Sequence, residues 1–544
     1  MTQPIPASVT PDIEYWALLD HFVDGDRAAV GTSHPEIPLS LEVNAPKALD
    51  PAVVNPGFLT NAGVTRDPTL QACVTKFLDD SVKALEKWAR DELASGTSTQ
   101  IRTKKDLDDM LKVVRSLKEI RFALVDLTAD VNSPKFAGNE ATAAGATRDL
   151  ATEPSFGGSM VKIAAMYAAY QLQYDLNALA KKLNISLGVG DDRAKKKAEL
   201  FQAAWDTWVQ TQKDDPAAPA QGLPSADPKL KIQGRLVKRA KGTKIPLTFS
   251  SWNGVTTWGK KRKNPIDGAP NLENIFDVVD GNPMTVAFRN DKTHYPPDHK
   301  LQGEAHTRLG EFGDPHGRPF YDRLFSTIDA SNNAAAGSCI LDVGYLFIAS
   351  ALMQASLYSP ERGGGLWLSA PYPGVSNAVL WIENPLPMHD QIVGGKVNTS
   401  RHYQVASAVA AATFMTLLAQ DRLVSKLASQ QMKFLMNKNK PGTAMGWQGT
   451  DTYSPVQSSL QELIDNTRIP GTVKTAISKL GLSPKGDVSD CALIEREIEV
   501  APGSKKLVRY VVGLVDLPPT TQQRVLTSLI EGLDGCIRKT NHLP

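Results

Sequence analysis

The sequence predicts an α/β fold of the α+β type, in which an antiparallel sheet is flanked by helices and accompanied by an all-helical lobe. Strand-like segments occur near residue 120 and again in the last third of the chain. The segments between them carry apolar residues at helical spacing. Strands at both ends of a domain predict a sheet assembled from both ends, with the helical lobe inserted in the middle.

The composition is that of an ordinary soluble protein. Hydrophobic residues make up 42% of the 544 residues, and the net charge of +2 gives no reason to expect a nucleic-acid partner. Residues 1–20 lack the regions of a secretory signal, and no apolar run is long enough to span a membrane. A cytoplasmic protein without membrane contact is therefore predicted, and no oligomeric state is predicted. Cys73, Cys339, Cys491 and Cys536 are far apart, which favours reduced, buried thiols.

The chain divides into two predicted regions. Residues 1–118 form a mostly helical N-terminal extension, in which Leu70–Leu93 and Leu107–Leu117 have helical periodicity. Residues 119–544 form the main domain. It contains a large insertion at about residues 188–318, which is irregular and too long for an ordinary loop.

The main domain contains strands and helices in a definite order. The predicted strands are Arg121–Leu127, a short one near Lys135–Ala137, Val473–Ser478, Asp490–Val500 and Leu507–Leu517. The predicted helices are the one that follows Ser159, those within Pro319–Tyr358, and Tyr403–Leu418, Ala428–Met436 and Thr521–Arg538. This order places the first and last strands on either side of a long helical region.

A serine and a lysine stand at the opening of an Ala-rich, apolar helix. Ser159 and Lys162 follow the pair Gly157-Gly158 at positions i and i+3, so the lysine amine can approach the serine hydroxyl. A serine is a poor nucleophile until a nearby base takes its proton, and a desolvated lysine can be that base. On its own, a Ser-x-x-Lys spacing is also what an ordinary helix start provides.

Two further polar motifs follow in separate segments. Ser331-Asn332-Asn333 interrupts two helical stretches, where small polar residues commonly cap a helix. Lys479-Leu480-Gly481 ends a strand segment before a turn that contains Pro484 and Gly486. Each motif alone is unremarkable, whereas their order in the chain is distinctive.

Taken in this order, the three motifs resemble those of the serine β-lactamase and penicillin-binding protein superfamily, closest to its class A-like branch. The resemblance runs from about Ile120 to the C-terminus, and Asn398–Ser400, Leu417–Ser425 and Ile469-Pro470 are also similar to family segments. It implies a β-lactamase/transpeptidase-like fold and acyl transfer through an acyl-enzyme. Residues 1–118 and the insertion have no recognised counterpart.

The resemblance implies a role for each motif residue. Ser159 would be the acylated nucleophile and Lys162 its general base. Ser331 would relay a proton to the leaving group, and Asn333 would hold Lys162 or a substrate amide. Lys479 would supply positive charge and help to keep Lys162 neutral.

The resemblance also implies a substrate-binding strand end. The backbone N–H groups of Ser159 and Leu482 would form an oxyanion hole beside Gly481. Leu480 stands where the family usually has Thr or Ser, whose hydroxyl helps to bind a substrate carboxylate. Glu383 is the only tempting match for the glutamate with which class A enzymes activate water, and its surroundings do not fit the pattern.

These observations predict a serine-dependent acyl hydrolase or acyltransferase that acts on a small-molecule or peptide-like amide or ester, without a cofactor or a metal. One alternative is a non-catalytic or slowly turning-over binding or sensor module of the same fold. A further alternative is a β-lactamase or D-Ala-D-Ala peptidase, which Leu480 and the missing glutamate disfavour. Within the insertion, Trp252, Trp258 and Tyr295 are expected to border the cleft and to influence substrate choice.

Three rival signals fall in the insertion and are weaker. Gly254–Lys260 has P-loop spacing, but Lys261 replaces the Ser or Thr that would reach magnesium. Four histidines between His294 and His316 lack tight metal-ligand spacing. The basic run Lys260–Lys263 reads as a solvated face, because the overall charge is balanced.

Overall fold

The computed structural model describes most of the chain from residue 64 onward. The described residues are 64–99, 101–143, 146–186, 193–201, 203–204, 270–280, 284–289, 319–344, 404–437, 454–482, 487–517 and 523–544, with short pieces between 348 and 397. The statements below concern these residues.

A six-stranded sheet forms the centre of the described chain. Its strands are β1 Thr65–Arg66, β2 Arg121–Asp126, β3 Lys135–Gly138, β4 Thr472–Leu482, β5 Val488–Ala501 and β6 Ser504–Leu517. They lie in the order β1-β3-β2-β6-β5-β4, with β1 and β3 parallel and every other pair antiparallel. In this register Tyr510 on β6 pairs with Asp126 on β2 and with Ile494 on β5. The predicted α+β fold, with a sheet assembled from both ends of the domain, is confirmed.

Helices cover both faces of this sheet. They are α1 Pro68–Ser95, α2 Lys104–Ser116, α3 Lys162–Lys182, α4 Leu272–Ile275, α5 Phe320–Ile328, α6 Asn333–Val343, α7 Ala408–Ala419, α8 Lys426–Met436, α9 Pro455–Asp465 and α10 Gln523–Thr540. Short strands pair outside the sheet: Glu140–Ala143 with Ala146–Asp149, Phe276–Asp280 with Thr285–Phe288, Tyr358–Ser359 with Gly364–Gly365, Ile392–Val393 with Lys396–Val397, and Gln404–Ala406 with both Trp367–Leu368 and Ser155–Phe156.

The sheet separates two hydrophobic cores because successive side chains of a strand point to opposite faces. On β6, Val511 and Val515 belong to one core, whereas Val512 and Leu514 belong to the other. The first core is filled by the lobe of α3 and α5–α8. The second is filled by α1, α2, α9 and α10. Helix α3 is buried over most of its length, as its Ala-rich sequence predicts.

The N-terminal helices are joined covalently to the end of the chain. Cys73 on α1 forms a disulfide with Cys536 on α10, with a Cα–Cα distance of 5.7 Å. The prediction of four reduced thiols is therefore wrong for this pair, because folding brings together residues that are 463 positions apart. Cys339 and Cys491 are free and buried, as predicted. Disulfides persist mainly in oxidising compartments, so this bond is an observation against the cytoplasmic location, which stays a prediction.

Apolar side chains between residues 70 and 117 share the second core with the main sheet, and the division of the chain at residue 118 stays a prediction. The helix predicted at Tyr403–Leu418 starts later, at Ala408, because Gln404–Ala406 is a strand and the Ser407 hydroxyl caps the helix. Helix α9 was not predicted. No helix among the described residues is both long and apolar enough to cross a membrane.

Candidate active site

The proposed nucleophile lies on a tight turn that leads into the buried helix α3. Ser159 belongs to the 3₁₀ turn Gly158–Val161, and Lys162 is the first residue of α3. Residues i and i+3 of a 3₁₀ turn lie directly above one another, so this local structure aligns Ser159 with Lys162. Gly158, Met160 and Val161 are buried, whereas Ser159 is partly exposed. The turn thus presents the serine at the surface and sends the lysine inward.

Lys162 lies at the bottom of the site with no solvent exposure. Its Nζ donates to the backbone carbonyl of Ser331 at 2.6 Å and to Oδ1 of Asn333 at 2.8 Å, and it contacts Oγ of Ser331 at 3.3 Å. Burial disfavours the charged ammonium and lowers the pKa of Lys162 from 10.5 to about 7. Burial alone accounts for this lowered pKa, so the lowering that was predicted from the charge of Lys479 is not needed to explain it.

The loop between α5 and α6 carries the second motif. Ser331 has a left-handed backbone with φ of 57°, which is uncommon for a residue with a side chain. Asn332 caps α6, since its side chain accepts a hydrogen bond from the backbone N–H of Ala335 at 3.0 Å. The capping interpretation of this motif is therefore true of Asn332, while Ser331 and Asn333 both contact Lys162.

Strand β4 supplies the third motif from the edge of the sheet. Lys479 is 1% exposed, and its Nζ donates to Oγ of Ser331 at 2.7 Å and contacts the carbonyl of Leu480 at 3.4 Å. The Ser331 hydroxyl thus lies between the amines of Lys162 and Lys479. Such a hydroxyl is placed to pass a proton between the two amines and a bound group.

The end of β4 is pressed against the turn that carries Ser159. A Cβ on Gly481 would lie 2.1 Å from the carbonyl oxygen of Gly157 and 2.6 Å from the nitrogen of Met160. Gly158 has φ of 53°, and a Cβ there would lie 2.9 Å from the nitrogen of Leu482. Only glycine permits this approach at both positions. It brings the backbone of Leu482 beside the start of the Ser159 turn, where an oxyanion hole was predicted.

The two leucines of the strand end differ in exposure. Leu480 is 5% exposed, whereas Leu482 is 45% exposed. Their ladder partners on β5 are Asp490 and Val488. Side chains at i and i+2 of a strand share a face, as do ladder partners. These four side chains therefore belong to one face of the strand pair, and Lys479 belongs to the other.

A buried carboxylate that the sequence did not indicate lies next to this strand end. Asp490 is fully buried and accepts hydrogen bonds from the Ser454 hydroxyl and, at 3.3 Å, from the N–H of Val456, both at the start of α9. Burial raises the pKa of Asp490 from 3.8 to about 7, while these bonds and the charge of Lys479 oppose the rise. An acidic residue directly before the apolar run Cys491–Ile494 was the available sequence signal.

Several predicted features lie outside the described residues. These are Glu383, the segment Asn398–Ser400, Gly254–Lys260, the basic run Lys260–Lys263, the histidines between His294 and His316, and the aromatic residues Trp252, Trp258 and Tyr295. Within the described part of the chain, no group of three or more His, Cys, Asp or Glu side chains could hold a metal ion.

Comparison with solved structures finds distant likenesses to β-lactamases and to PBP-A. An ancestral (GNCA) class A β-lactamase aligns at 13% identity and a TM-score of 0.31, over 79% of this chain and 98% of its own. A β-lactamase from Chitinophaga pinensis aligns at 8% identity and a TM-score of 0.29, over 78% of this chain and 98% of its own. PBP-A aligns at 15% identity and a TM-score of 0.23, over 41% of this chain and 62% of its own.

Sequence comparisons add no relative, since no family model and no curated protein matches the chain. At these identities and TM-scores the structural likeness identifies neither a family nor an activity for this chain. The fold that the structure itself shows is α+β with an antiparallel-rich sheet.

Proposed function

We propose that the protein is a serine-dependent acyl hydrolase or acyltransferase that acts on an amide or ester through an acyl-enzyme on Ser159. The observation that carries the proposal is the environment of Lys162. Its amine is buried, is held by Ser331 and Asn333, and has a pKa of about 7. A lysine that is half deprotonated near neutral pH is suited to take a proton from a serine hydroxyl.

In the acylation step, the Ser159 Oγ forms a bond to the substrate carbonyl carbon as its proton passes to Lys162 Nζ. The negative charge on the carbonyl oxygen is stabilised by the backbone N–H groups of Ser159 and Leu482. The tetrahedral intermediate then loses its amine or alcohol. The proton on Lys162 reaches this leaving group through the Ser331 hydroxyl, which contacts Lys162 at 3.3 Å.

Deacylation reverses this sequence with water or another nucleophile. The incoming group gives its proton to the same lysine and hydroxyl, attacks the acyl carbon and releases Ser159. Lys479 orients the Ser331 hydroxyl throughout by its hydrogen bond of 2.7 Å. Water yields hydrolysis, and an amine or alcohol yields acyl transfer.

Intact-mass spectrometry of the full chain with a fluorophosphonate probe tests the proposal. The wild-type protein should gain one phosphonyl adduct, and Ser159→Ala should gain none. Ser116→Ala is a matched control, because Ser116 is also partly buried at a helix end but lies at the end of α2. Absence of an adduct on Ser159 from any acylating probe would disprove the nucleophile assignment.

Turnover separates an enzyme from a binding or sensor module of the same fold. With p-nitrophenyl esters, an enzyme releases p-nitrophenolate continuously, whereas a module that acylates without deacylation releases a single equivalent. The acyl adduct on Ser159 would then persist in the mass spectrum.

A further inference from the structure

The two backbone N–H groups proposed for the oxyanion hole belong to separate segments, and Ser489 on β5 contacts both segments. The Ser489 backbone is the ladder partner of Gly481, which immediately precedes Leu482. Cross-strand partners point to the same face, so the Ser489 side chain lies on the face where Gly481 meets the Ser159 turn. The Ser489 Oγ is buried and donates a hydrogen bond of 3.2 Å to the carbonyl of Phe156, which ends the strand before that turn.

A β-bulge in the neighbouring strand orients the Ser489 hydroxyl. At Ser489 the register of β5 against β6 shifts, so that Val515 and Asp516 both lie opposite it. Asp516 has a left-handed backbone with φ of 56°, and its N–H donates to Ser489 Oγ at 3.1 Å. Because a serine hydroxyl has a single proton, accepting this bond leaves that proton for the Phe156 carbonyl. The bulge therefore fixes the direction of the bond that reaches the strand before the turn.

The Asp516 carboxylate binds the other residue of the same short strand. Its Oδ2 accepts a hydrogen bond of 2.7 Å from the hydroxyl of Ser155, which is buried. Arg121 on β2 contacts the same oxygen at 3.3 Å, which offsets its negative charge. The backbone of the short strand pairs with Gln404–Ala406. The residues that lead into the Ser159 turn are thus fixed by backbone pairing and by two side chains of β5 and β6.

We propose that Ser489 and Asp516 are positioning residues, which set the spacing between the two N–H donors of the oxyanion hole. This inference rests on the proposed acyl transfer at Ser159. Oxyanion donors stabilise the transition state when they lie within hydrogen-bond reach of the developing charge. A displacement of about 1 Å, even from a change away from the reacting atoms, can slow a reaction about a hundredfold.

Replacement of the Ser489 hydroxyl tests its role in the full chain. For Ser489→Ala, the first-order rate constant of labelling at saturating fluorophosphonate should fall about tenfold, because the oxyanion contacts form in the transition state. The half-saturation concentration should stay within about twofold for the same reason. Ser489→Thr keeps a hydroxyl and should retain at least about half of the wild-type rate constant. A rate constant as low as that of Ser489→Ala would overturn the role of the hydroxyl.

The carboxylate is tested by two substitutions of Asp516. Asp516→Ala removes the acceptor of the Ser155 hydroxyl and should lower the same rate constant about tenfold. Asp516→Asn keeps an acceptor oxygen and tolerates the left-handed backbone, so its rate constant should stay within about threefold of the wild type. Equal rate constants for the two variants would overturn the role of the carboxylate.

Thr128→Val is the matched control for the loss of a hydroxyl that bridges backbone groups. Thr128 Oγ1 donates to the carbonyl of Arg509 at 3.1 Å and accepts from its N–H at 3.2 Å. Arg509 and Asp516 lie about 24 Å apart along β6. Thr128→Val should leave the rate constant unchanged. A merely structural role of Ser489 would lower the labelled fraction of Ser489→Ala and leave the rate constant of that fraction at the wild-type value.

The outcomes distinguish this inference from the proposed function. Labelling of Ser159 in the wild type with an unchanged rate constant in Ser489→Ala disproves the positioning role and leaves acyl transfer intact. An equal fall in Thr128→Val also disproves the positioning role. Absence of labelling in the wild type disproves both. A slower rate constant in the two alanine variants, which the threonine and asparagine variants restore, supports both.

Discussion

The rate of Ser159 acylation should rise with pH around a midpoint near 7. Burial lowers the pKa of Lys162 from 10.5 to about 7, and only its neutral amine can accept the serine proton. Below the midpoint the fraction of neutral lysine, and with it the rate constant, falls about tenfold per pH unit. Above the midpoint the rate constant reaches a plateau, because nearly all of the lysine is neutral.

The assay is the second-order rate constant of fluorophosphonate labelling from about pH 5 to about pH 9. Lys162→Arg should lower this constant at least about a hundredfold at every pH, since a guanidinium does not act as a base. Asp490 also has a pKa of about 7, so Asp490→Asn is the control that separates the two groups. The midpoint should stay near 7 in that variant.

Three results would refute this reasoning. A flat profile would show that no group with a pKa near 7 controls acylation. A rate constant that still rises about tenfold per pH unit at the upper end of the assayed range would show an ordinary lysine, whose side chain is not desolvated. Loss of the midpoint in Asp490→Asn would assign the titration to Asp490 instead of Lys162.

Three further predictions concern the strand end, the buried acid and the disulfide. Gly158→Ala should slow labelling about a hundredfold, since its Cβ would lie 2.6 Å from the carbonyl oxygen of Leu482 and displace an oxyanion donor; an unchanged rate would contradict this. The folded-state pKa of Asp490 is raised, so its carboxylate lowers stability as pH rises from 3.8 to about 7. Above pH 7 the free energy of unfolding, measured in urea, should therefore be about 2 to 4 kcal/mol higher for Asp490→Asn than for the wild type, with little difference near pH 4. The opposite pH trend would refute this prediction. Cys73→Ser with Cys536→Ser should lower the free energy of unfolding by about 4 kcal/mol in urea, and an unchanged midpoint would show that the bond adds nothing.

Much of the fold was predictable because its signals are local. The helix at Pro68–Ser95 shows periodic apolar residues and ends at Gly96, and the strands around residues 490–500 and 507–517 show alternation and a Gly-containing turn. Helix α9 was missed because its few apolar positions, such as Val456 and Leu460, give a weak pattern. The disulfide could not be predicted, since it joins residues 463 positions apart.

The candidate site also has one part that local sequence determines and another part that only the tertiary fold determines. The chain itself sets the i, i+3 spacing of Ser159 and Lys162, because a single turn of helix aligns them whatever surrounds it. The tertiary structure alone brings Ser331 and Lys479 to that lysine, from a loop and from a strand far along the chain. It also decides the pKa of Lys162, since desolvation depends on what is packed around an amine and not on its neighbours in sequence.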